Sequence, residues 1–206
     1  MKAVPVPHPV ILLISAPSGA GKTTLCQRLL NEHPGLHYSV SVTTRAPREG
    51  EVDGRHYEFI SRSEFLARVD QGDFLEHAEV HGNLYGTSRR RIEDVFQEGG
   101  SVLMDVDVQG ARLIRSALEE EGKGNGLKPF FHDIFISPPD LDVLRERLEG
   151  RAQDSQEIIE RRLKNAAEEM ADSYLYEYQV VNDRLESAYD QLRSIYTACC
   201  HHTVLG

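Results

Sequence analysis

The sequence has 206 residues, which is enough for one domain with a hydrophobic core and small inserted lobes, but too short for several independent domains. Hydrophobic residues make up 40% and charged residues 27%, which excludes a charge-dominated disordered chain and predicts a folded globular protein. The net charge of -10 argues against a broad nucleic-acid or anionic-membrane surface, so an anionic ligand would need locally clustered cations.

The cysteines and the N-terminal segment indicate a cytoplasmic protein. Cys26, Cys199 and Cys200 cannot form a disulfide framework, because two of them are adjacent and no CxxC pair or metal-type spacing with His occurs. The first ten residues contain three prolines and no apolar stretch typical of a signal peptide, and the apolar run at 10–14 is too short to span a membrane. We therefore expect neither export nor membrane anchoring.

The first predicted elements are a strand, a glycine-rich loop and a helix. Residues 10–14 form a short apolar run, residues 15–21 read Ser-Ala-Pro-Ser-Gly-Ala-Gly, and residues 22–31 place three leucines on one helical face. Residues 38–86 follow, rich in Thr, Arg and Gly and with short alternating segments. This composition predicts an inserted, strand-rich lobe, followed by a solvated helix face at Arg89–Arg91.

The second half of the chain predicts alternating strands and helices. Strands are predicted at 101–104 and 130–136, with a helix at 111–118 between them and a flexible surface loop at 119–128. Residues 140–171 are highly charged, with apolar residues at helical spacing on both sides of a corner at 150–154, which predicts two helices. Strands separated by helix-length segments predict an α/β fold, a parallel sheet with helices on both faces.

A phosphate-binding loop is the strongest motif. Residues 18–23 read Ser-Gly-Ala-Gly-Lys-Thr between an apolar strand and a helix, which is the context that this loop requires. Its backbone N–H groups can surround a β-phosphate, Lys22 can bridge β and γ oxygens, and the Thr23 hydroxyl can bind Mg²⁺. The pattern has Gly where this chain has Ala16. The predicted ATP-binding residues are Ala16, Pro17, Ser18, Gly19, Ala20, Gly21, Lys22, Thr23 and Thr24.

Asp105 is the second candidate metal ligand. It ends a predicted buried strand, where phosphate-loop enzymes place an acidic residue that reaches Mg²⁺ directly or through water. A strand-ending Asp is also common in turns and caps, and the nearby phosphate loop favours the metal interpretation.

The inserted lobe carries the candidate acceptor site. Arg45 and Arg48 lie three residues apart, a spacing suited to clamping one phosphate with charge-assisted hydrogen bonds. Further motifs follow in order: Gly-Glu-Val-Asp-Gly at 50–54, Phe-Leu-Glu-His at 74–77, Gly-Asn-Leu-Tyr-Gly-Thr-Ser at 82–88 and Met-Asp-Val-Asp-Val-Gln-Gly at 104–110.

With these motifs, the sequence from about residue 10 to about residue 192 resembles the guanylate kinases, which convert GMP and ATP to GDP and ADP in purine nucleotide metabolism. The resemblance implies a parallel-sheet phosphate-loop core (1–40 and 88–206), an inserted GMP-binding lobe (41–87) and a helical lid (about 138–170). It further implies that GMP, and also dGMP, is bound by Ser41, Arg45, Arg48, Tyr57 and Tyr85 at the phosphate and by Glu76, Thr87 and Asp107 at the base.

The chemistry of guanine supports the assignment of Glu76. Guanine presents its N1–H and its exocyclic amine as donors on one edge, whereas adenine presents an acceptor at N1. A carboxylate that accepts from both donors would therefore select guanine. A solvated glutamate at the end of an element is the alternative interpretation of the same residue.

The resemblance also supplies the candidate catalytic residues, Lys22 with the lid arginines Arg147, Arg151 and Arg162. The family pattern reads Gly-Arg-Gly where this chain has Ala152 as the third residue, so we expect a stiffer lid corner. Asn182–Asp183 resembles a nucleotide-side turn of the family, with a plain turn as the alternative. Because a nucleotide 5′-phosphate is already anionic, the reaction needs no Ser, His or Cys nucleophile, and catalysis should come from positioning and charge neutralisation.

Two other functions fit part of the pattern. A related phosphate-loop kinase for another acceptor, such as a ribose phosphate, would lack the guanine set, and a peptide-binding scaffold module would have a degraded phosphate loop. Glu76, Thr87 and Asp107 argue against the first, and the intact Lys22 and Thr23 argue against the second. We expect ATP and GMP as partners, neither nucleic acid nor membrane, and a monomer or homodimer.

Overall fold

The computed structural model describes residues 8–120, 126–150 and 155–201, and these contain the following elements. The strands are β1 (Ile11–Ser15), β2 (Leu36–Tyr38), β3 (Val42–Thr43), β4 (Glu58–Phe59), β5 (Phe74–Val80), β6 (Asn83–Ser88), β7 (Ser101–Asp105), β8 (Phe131–Ser137) and β9 (Tyr178–Val181). The α-helices are α1 (Lys22–Glu32), α2 (Arg62–Asp70), α3 (Arg89–Gln97), α4 (Val108–Glu120), α5 (Leu141–Glu149), α6 (Gln156–Ala171) and α7 (Leu185–His201).

A five-stranded parallel sheet in the order β2-β7-β1-β8-β9 forms the core. Strand β1 lies at its centre and is buried along its whole length, as expected for an apolar strand covered on both faces. Leu12 and Ile14 pack on the side of α1 and α7, whereas Ile11 and Leu13 pack on the side of α3 and α4. The predicted α/β fold with helices on both faces of a parallel sheet is confirmed.

A second sheet of four strands, in the order β4-β3-β6-β5, is built from residues between 42 and 88. It has a small core of its own, formed by Val42, Phe65 and Leu84, and the ring of Phe65 stacks on Phe74 with centroids 4.4 Å apart. The segment also contains helix α2, which the prediction of a strand-rich lobe omitted. The sequence does carry a signal for it, because the Ser61 hydroxyl caps the helix by accepting from the Glu64 N–H at 3.2 Å.

Helices α5 and α6 pack against each other through a separate apolar cluster that includes Leu144, Leu148 and Leu163. The two helices predicted for residues 140–171 are therefore present, although corner residues 151–154 lie outside the described residues. Of the loop predicted at 119–128, Glu119 and Glu120 are the last two residues of α4, Lys128 begins a 3₁₀ turn, and residues 121–125 lie outside the described residues. Extending the helix by Glu119 and Glu120 leaves their exposed side chains in water at little cost.

Two further sequence predictions concern the surface. Helix α3 begins at Arg89, and Arg90 and Arg91 are exposed on it, as predicted, whereas Arg89 is half-buried. No helix in the described ranges is long and apolar enough to cross a bilayer.

The core of the four-stranded sheet predicts a contrast between two neighbouring positions on α2. Phe65 is fully buried, whereas Leu66 is 47% exposed. Phe65→Ala should lower the free energy of unfolding by about 3–5 kcal/mol because it leaves a cavity, and Leu66→Ala should change it by about 0.5 kcal/mol or less. Urea denaturation of both variants measures the difference, and equal losses would contradict this description of the lobe core.

Candidate active site

The phosphate-binding loop connects β1 to α1 and needs glycine at two positions. Gly19 and Gly21 have φ angles of 97° and 92°, in the left-handed region that favours glycine. A Cβ atom at Gly19 would lie only 2.9 Å from side-chain carbons of both Leu144 and Leu148 on α5. The loop is therefore in direct contact with the helix pair α5–α6.

Ala16 departs from the usual pattern without strain. Of the described residues other than glycine, only His81 has a positive φ, so Ala16 does not occupy the left-handed region. Its side chain is 8% exposed and belongs to the apolar cluster on the α1 side of the sheet. A methyl group is therefore accepted here without backbone strain, within that apolar cluster.

Lys22 and Asp105 form an ion pair at the mouth of the loop. Strands β1 and β7 pair in parallel with Ile14 opposite Asp105, so both strands end at the same edge of the sheet. The Lys22 Nζ lies 2.5 Å from Asp105 Oδ1 and donates to the Val106 carbonyl at 2.7 Å. The structure thus brings together the predicted phosphate-binding lysine and the predicted metal-binding carboxylate.

Two cavities open beside this pair. One, of about 370 Å³, is lined by Asp107, Glu169 and all the predicted ATP-binding residues except Ala20, which is fully buried. The other, of about 550 Å³, is bordered by Thr23, Asp105, Glu51 and Tyr57. Thr23 borders both cavities, so the phosphate loop faces the four-stranded lobe as well as α6.

Glu76 and Thr87 lie opposite each other on β5 and β6. The Thr87 hydroxyl donates to Glu76 Oε1 at 2.8 Å. Burial raises the pKa of the Glu76 carboxyl, and the nearby Asp107 carboxylate raises it further. Asp107 itself is exposed and caps α4 by accepting from the Gly110 N–H at 2.7 Å. The three predicted guanine-binding residues therefore lie near one another, on two strands and the start of a helix.

The predicted phosphate clamp is partly assembled. The Arg45 guanidinium lies 5.4 Å from the centroid of the Tyr57 ring, and the rings of Tyr57 and Tyr85 are in edge contact at 6.0 Å. The side chain of Arg48 is exposed, and its backbone N–H donates to Glu51. Ser41 is half-buried, and its carbonyl accepts from the Glu58 N–H at 2.9 Å.

The lid arginines have different environments. Arg147 on α5 donates to the carbonyls of Asn182 and Asp183 at 2.8 and 3.3 Å, so its guanidinium lies on that turn. Arg162 is half-buried on α6. Arg151 and Ala152 lie outside the described residues.

Asn182 connects the turn after β9 to the phosphate loop. Its side chain is 5% exposed and donates from Nδ2 to the Ala20 carbonyl at 2.7 Å. The same Nδ2 would lie 2.4 Å from a Cβ atom at Gly21, which is a second reason for glycine there. The Asn182–Asp183 turn is therefore a support of the phosphate loop rather than a plain chain reversal.

The sequence interpretation assigned no role to Glu169, on α6. It lines the phosphate-loop cavity, and burial raises the pKa of its carboxyl, with a further increase from Asp107. Glu169 follows Arg162 by seven residues, or two helical turns, so both lie on one face of α6. The seven-residue spacing from Arg162 is the sequence signal that could have identified Glu169 as a residue of this site.

Comparison with known proteins places the chain in a family. The family model described as "Guanylate kinase" matches residues 8–199. The chain belongs to the guanylate kinase family. The predicted family and its enzyme class, a nucleoside monophosphate kinase of the transferases, are thereby confirmed.

Relatives in the guanylate kinase family cover nearly the whole chain. The guanylate kinase of Geobacter metallireducens is 47% identical over 189 residues, which are 92% of this chain and 88% of that protein. The guanylate kinase of Neisseria meningitidis serogroup A is 49% identical and covers 92% of this chain and 87% of its own length. A crystal structure of guanylate kinase from Anaplasma phagocytophilum is similar with a TM-score of 0.68 and 36% identity, and covers 96% of this chain and 89% of that one.

The contact between Asn182 and the loop yields a prediction. Asn182→Asp replaces the Nδ2 donor with an oxygen that faces the Ala20 carbonyl, and an unpaired buried polar group costs about 1–3 kcal/mol. We expect a lower melting temperature and weaker ATP binding, measured by thermal unfolding and by calorimetry. Asn165→Asp, the same change at an exposed position of α6, is the control. Equal behaviour of the two variants would show that the contact does not support the loop.

Proposed function

We propose that this chain transfers the γ-phosphoryl group of ATP to GMP, and to dGMP, giving ADP and GDP or dGDP in purine nucleotide metabolism. The observation that carries the proposal is the position of Asp107. It lines the cavity of the phosphate loop and is also close enough to Glu76 to raise the pKa of that carboxyl. Asp107 therefore links the phosphate-loop cavity to the neighbourhood of Glu76, which supports an arrangement in which both nucleotides bind side by side.

On the acceptor side, we propose that Ser41, Arg45, Arg48, Tyr57 and Tyr85 hold the phosphate of GMP. The proximity of Arg45 to both tyrosines supports this group, because a guanidinium and two phenol hydroxyls can all donate to one phosphate. Glu76, Thr87 and Asp107 would read the guanine, with the Glu76 carboxylate accepting from both N–H donors on its edge.

On the donor side, residues 16–24 would enclose the phosphates of ATP, with Lys22 leaving Asp105 to bind β and γ oxygens. This exchange replaces one anionic partner by another, so the lysine charge is never buried without compensation. Arg147, Arg151 and Arg162 would complete the site from the helix pair. An arginine in this role contributes about 10³–10⁵ to the rate of phosphoryl transfer.

The residues at the loop mouth fit a magnesium ion. Thr23 and Asp105 offer a hydroxyl and a carboxylate oxygen at one cavity, and Mg²⁺ prefers oxygen ligands. In the part of the chain that the structure describes, no three His, Cys, Asp or Glu side chains gather as a metal site. This agrees with a cation that takes one or two protein ligands and completes its coordination with nucleotide phosphates and water. When bound, Mg²⁺ neutralises and orients the phosphate oxygens.

The wider assignments are part of the same proposal. Residues 41–87 would be the GMP-binding lobe and residues 138–170 the lid, with the remaining chain as the phosphate-loop core. The protein would act in the cytoplasm as a monomer or homodimer, without nucleic-acid or membrane partners, as its net charge of -10 suggests.

Base selection provides the sharpest test of the acceptor. Glu76→Gln replaces one carboxylate oxygen by an NH₂ group, so one guanine donor loses its acceptor. Sites built around such hydrogen bonds discriminate by about 10⁴ or more, and we expect a strong loss of kcat/KM for GMP and of the preference for GMP over AMP. Steady-state assays with both acceptors measure this ratio. Glu79→Gln, an exposed position on the same strand, is the control, and an unchanged ratio in Glu76→Gln would disprove the role.

Magnesium dependence tests the metal assignment. Asp105→Asn keeps the size of the side chain but removes its charge, so the Mg²⁺ concentration at half-maximal rate should rise about 10- to 100-fold. A titration of the rate with MgCl₂ at saturating nucleotides measures the shift. Asp94→Asn, which removes an exposed carboxylate on α3, should titrate like the unmodified protein. If Asp105→Asn also titrates like the unmodified protein, Asp105 does not serve the cation.

A further inference from the structure

Glu51 organises the loop that carries the two clamp arginines. Its Oε1 accepts from Arg45 Nη2 at 2.8 Å, and its Oε2 accepts from Arg45 Nη1 at 3.0 Å. Oε2 also accepts from the backbone N–H of Arg48 at 2.7 Å. One carboxylate therefore holds the side chain of the first arginine and the backbone of the second.

A carboxylate at this position is unexpected, because the neighbouring site binds a phosphate dianion. Neutralising Glu51 would relieve the repulsion, yet the Arg45 guanidinium and the Arg48 N–H lower the pKa of the Glu51 carboxyl to about 2. Glu51 is consequently ionised at every pH at which the protein would be assayed. The repulsion between its negative charge and the phosphate must therefore be offset by a structural effect of Glu51 on the two clamp arginines.

The geometry of the guanidinium shows what that effect is. Glu51 takes the outer edge of Arg45, formed by one N–H of Nη1 and one of Nη2, and the Ala46 carbonyl takes the second N–H of Nη1 at 2.8 Å. These contacts use three of the five N–H groups of an arginine and leave the edge formed by Nε–H and the second N–H of Nη2. That edge is a parallel pair of donors, which matches two oxygens of a phosphate.

The surrounding contacts fix Arg45 further. The Thr43 hydroxyl accepts from the Arg45 N–H at 3.2 Å and donates to the Leu84 carbonyl on β6 at 3.0 Å. The Tyr85 side chain lies near the guanidinium and, after the larger effect of Glu51, helps to raise the pKa of Arg45. Backbone and side chain of Arg45 are thus both held before a ligand arrives.

We infer that Glu51 is a positioning residue for the acceptor phosphate: it binds the outer edge of Arg45 and the backbone of Arg48, so that both arginines are ordered for the phosphate. This inference rests on the proposed assignment of Arg45 and Arg48 to that phosphate. Glu51 stays in place when the nucleotide binds, because it and the phosphate use different edges of the guanidinium. Because the Arg45 side chain is already ordered before GMP binds, the loss of its conformational entropy does not weaken GMP binding.

The test compares two ligands that differ only in the phosphate. Glu51→Gln places an NH₂ group against N–H donors, whereas Glu49→Gln makes the same charge change at an exposed residue two positions away. For Glu51→Gln we expect a 10- to 100-fold weaker affinity for GMP, the effect of losing charge-assisted hydrogen bonds. Affinities for guanosine, which has no phosphate, and for ATP should not change. Glu49→Gln should match the unmodified protein with all three ligands.

Two outcomes of the calorimetry would overturn the inference. Equal weakening of GMP and guanosine would mean that Glu51 only stabilises the lobe, and tighter GMP binding would mean that Glu51 competes with the phosphate. If Glu51→Gln unfolds, Glu51→Asp replaces it, because the shorter carboxylate keeps its charge but cannot reach both arginines; its loss should again be specific to GMP.

Arg45→Ala separates this inference from the proposed function. If Arg45→Ala weakens GMP binding and Glu51→Gln does not, Glu51 has no positioning role, and the acceptor site stands. If Arg45→Ala leaves GMP binding unchanged, the assignment of the acceptor phosphate is itself wrong.

Discussion

The parallel pairing of β1 with β7 is the constraint on which the rest of the site depends. It brings the carboxyl ends of two buried strands to one edge of the sheet, with Ile14 beside Asp105. The phosphate loop leaves one strand and the metal-binding candidate ends the other, so Lys22 and Asp105 meet at 2.5 Å. Helix α4 then starts immediately beyond β7 and carries Asp107 to the same space. A shift in this register would separate every one of these groups.

Three cations of the candidate site share a second property, which is that their side chains already have oxygen partners within the protein. Lys22 is paired with Asp105, Arg45 with Glu51, and Arg147 with two backbone carbonyls. A site for a nucleoside triphosphate and a nucleoside monophosphate needs several positive charges close together, and these would repel one another if they were left without partners. The partners reduce that repulsion and order the long side chains, so a net negative protein can still bind anions.

The phosphate loop is supported from outside the sheet as well. Gly19 is packed against Leu144 and Leu148 of α5, and the Ala20 carbonyl is held by Asn182. Arg147, on the same helix α5, reaches the turn that contains Asn182. The loop, the helix pair and the turn after β9 therefore form one connected unit. Because of these contacts, a movement of the helix pair would also displace the phosphate loop.

The sequence by itself determined the phosphate loop, the alternation of strands and helices, and the family, because these depend on short contiguous patterns. It also predicted Glu76 and Thr87 as base-binding residues, although it could not show that their side chains pair at 2.8 Å across two strands. It missed α2, whose capping Ser61 is a local signal in a segment that otherwise alternates like strands.

Only the tertiary structure decided which groups lie together. It showed that Ala16 needs no positive φ, that Asn182 supports Ala20 across 162 positions of the chain, and that Glu169 faces the loop from α6. Glu51 is close to Arg45 in sequence, yet its role depends on the turn that folds the carboxylate back onto the guanidinium. Contacts of this kind arise from the packing of elements that are distant or sharply turned in the chain, and residue spacing alone does not encode them.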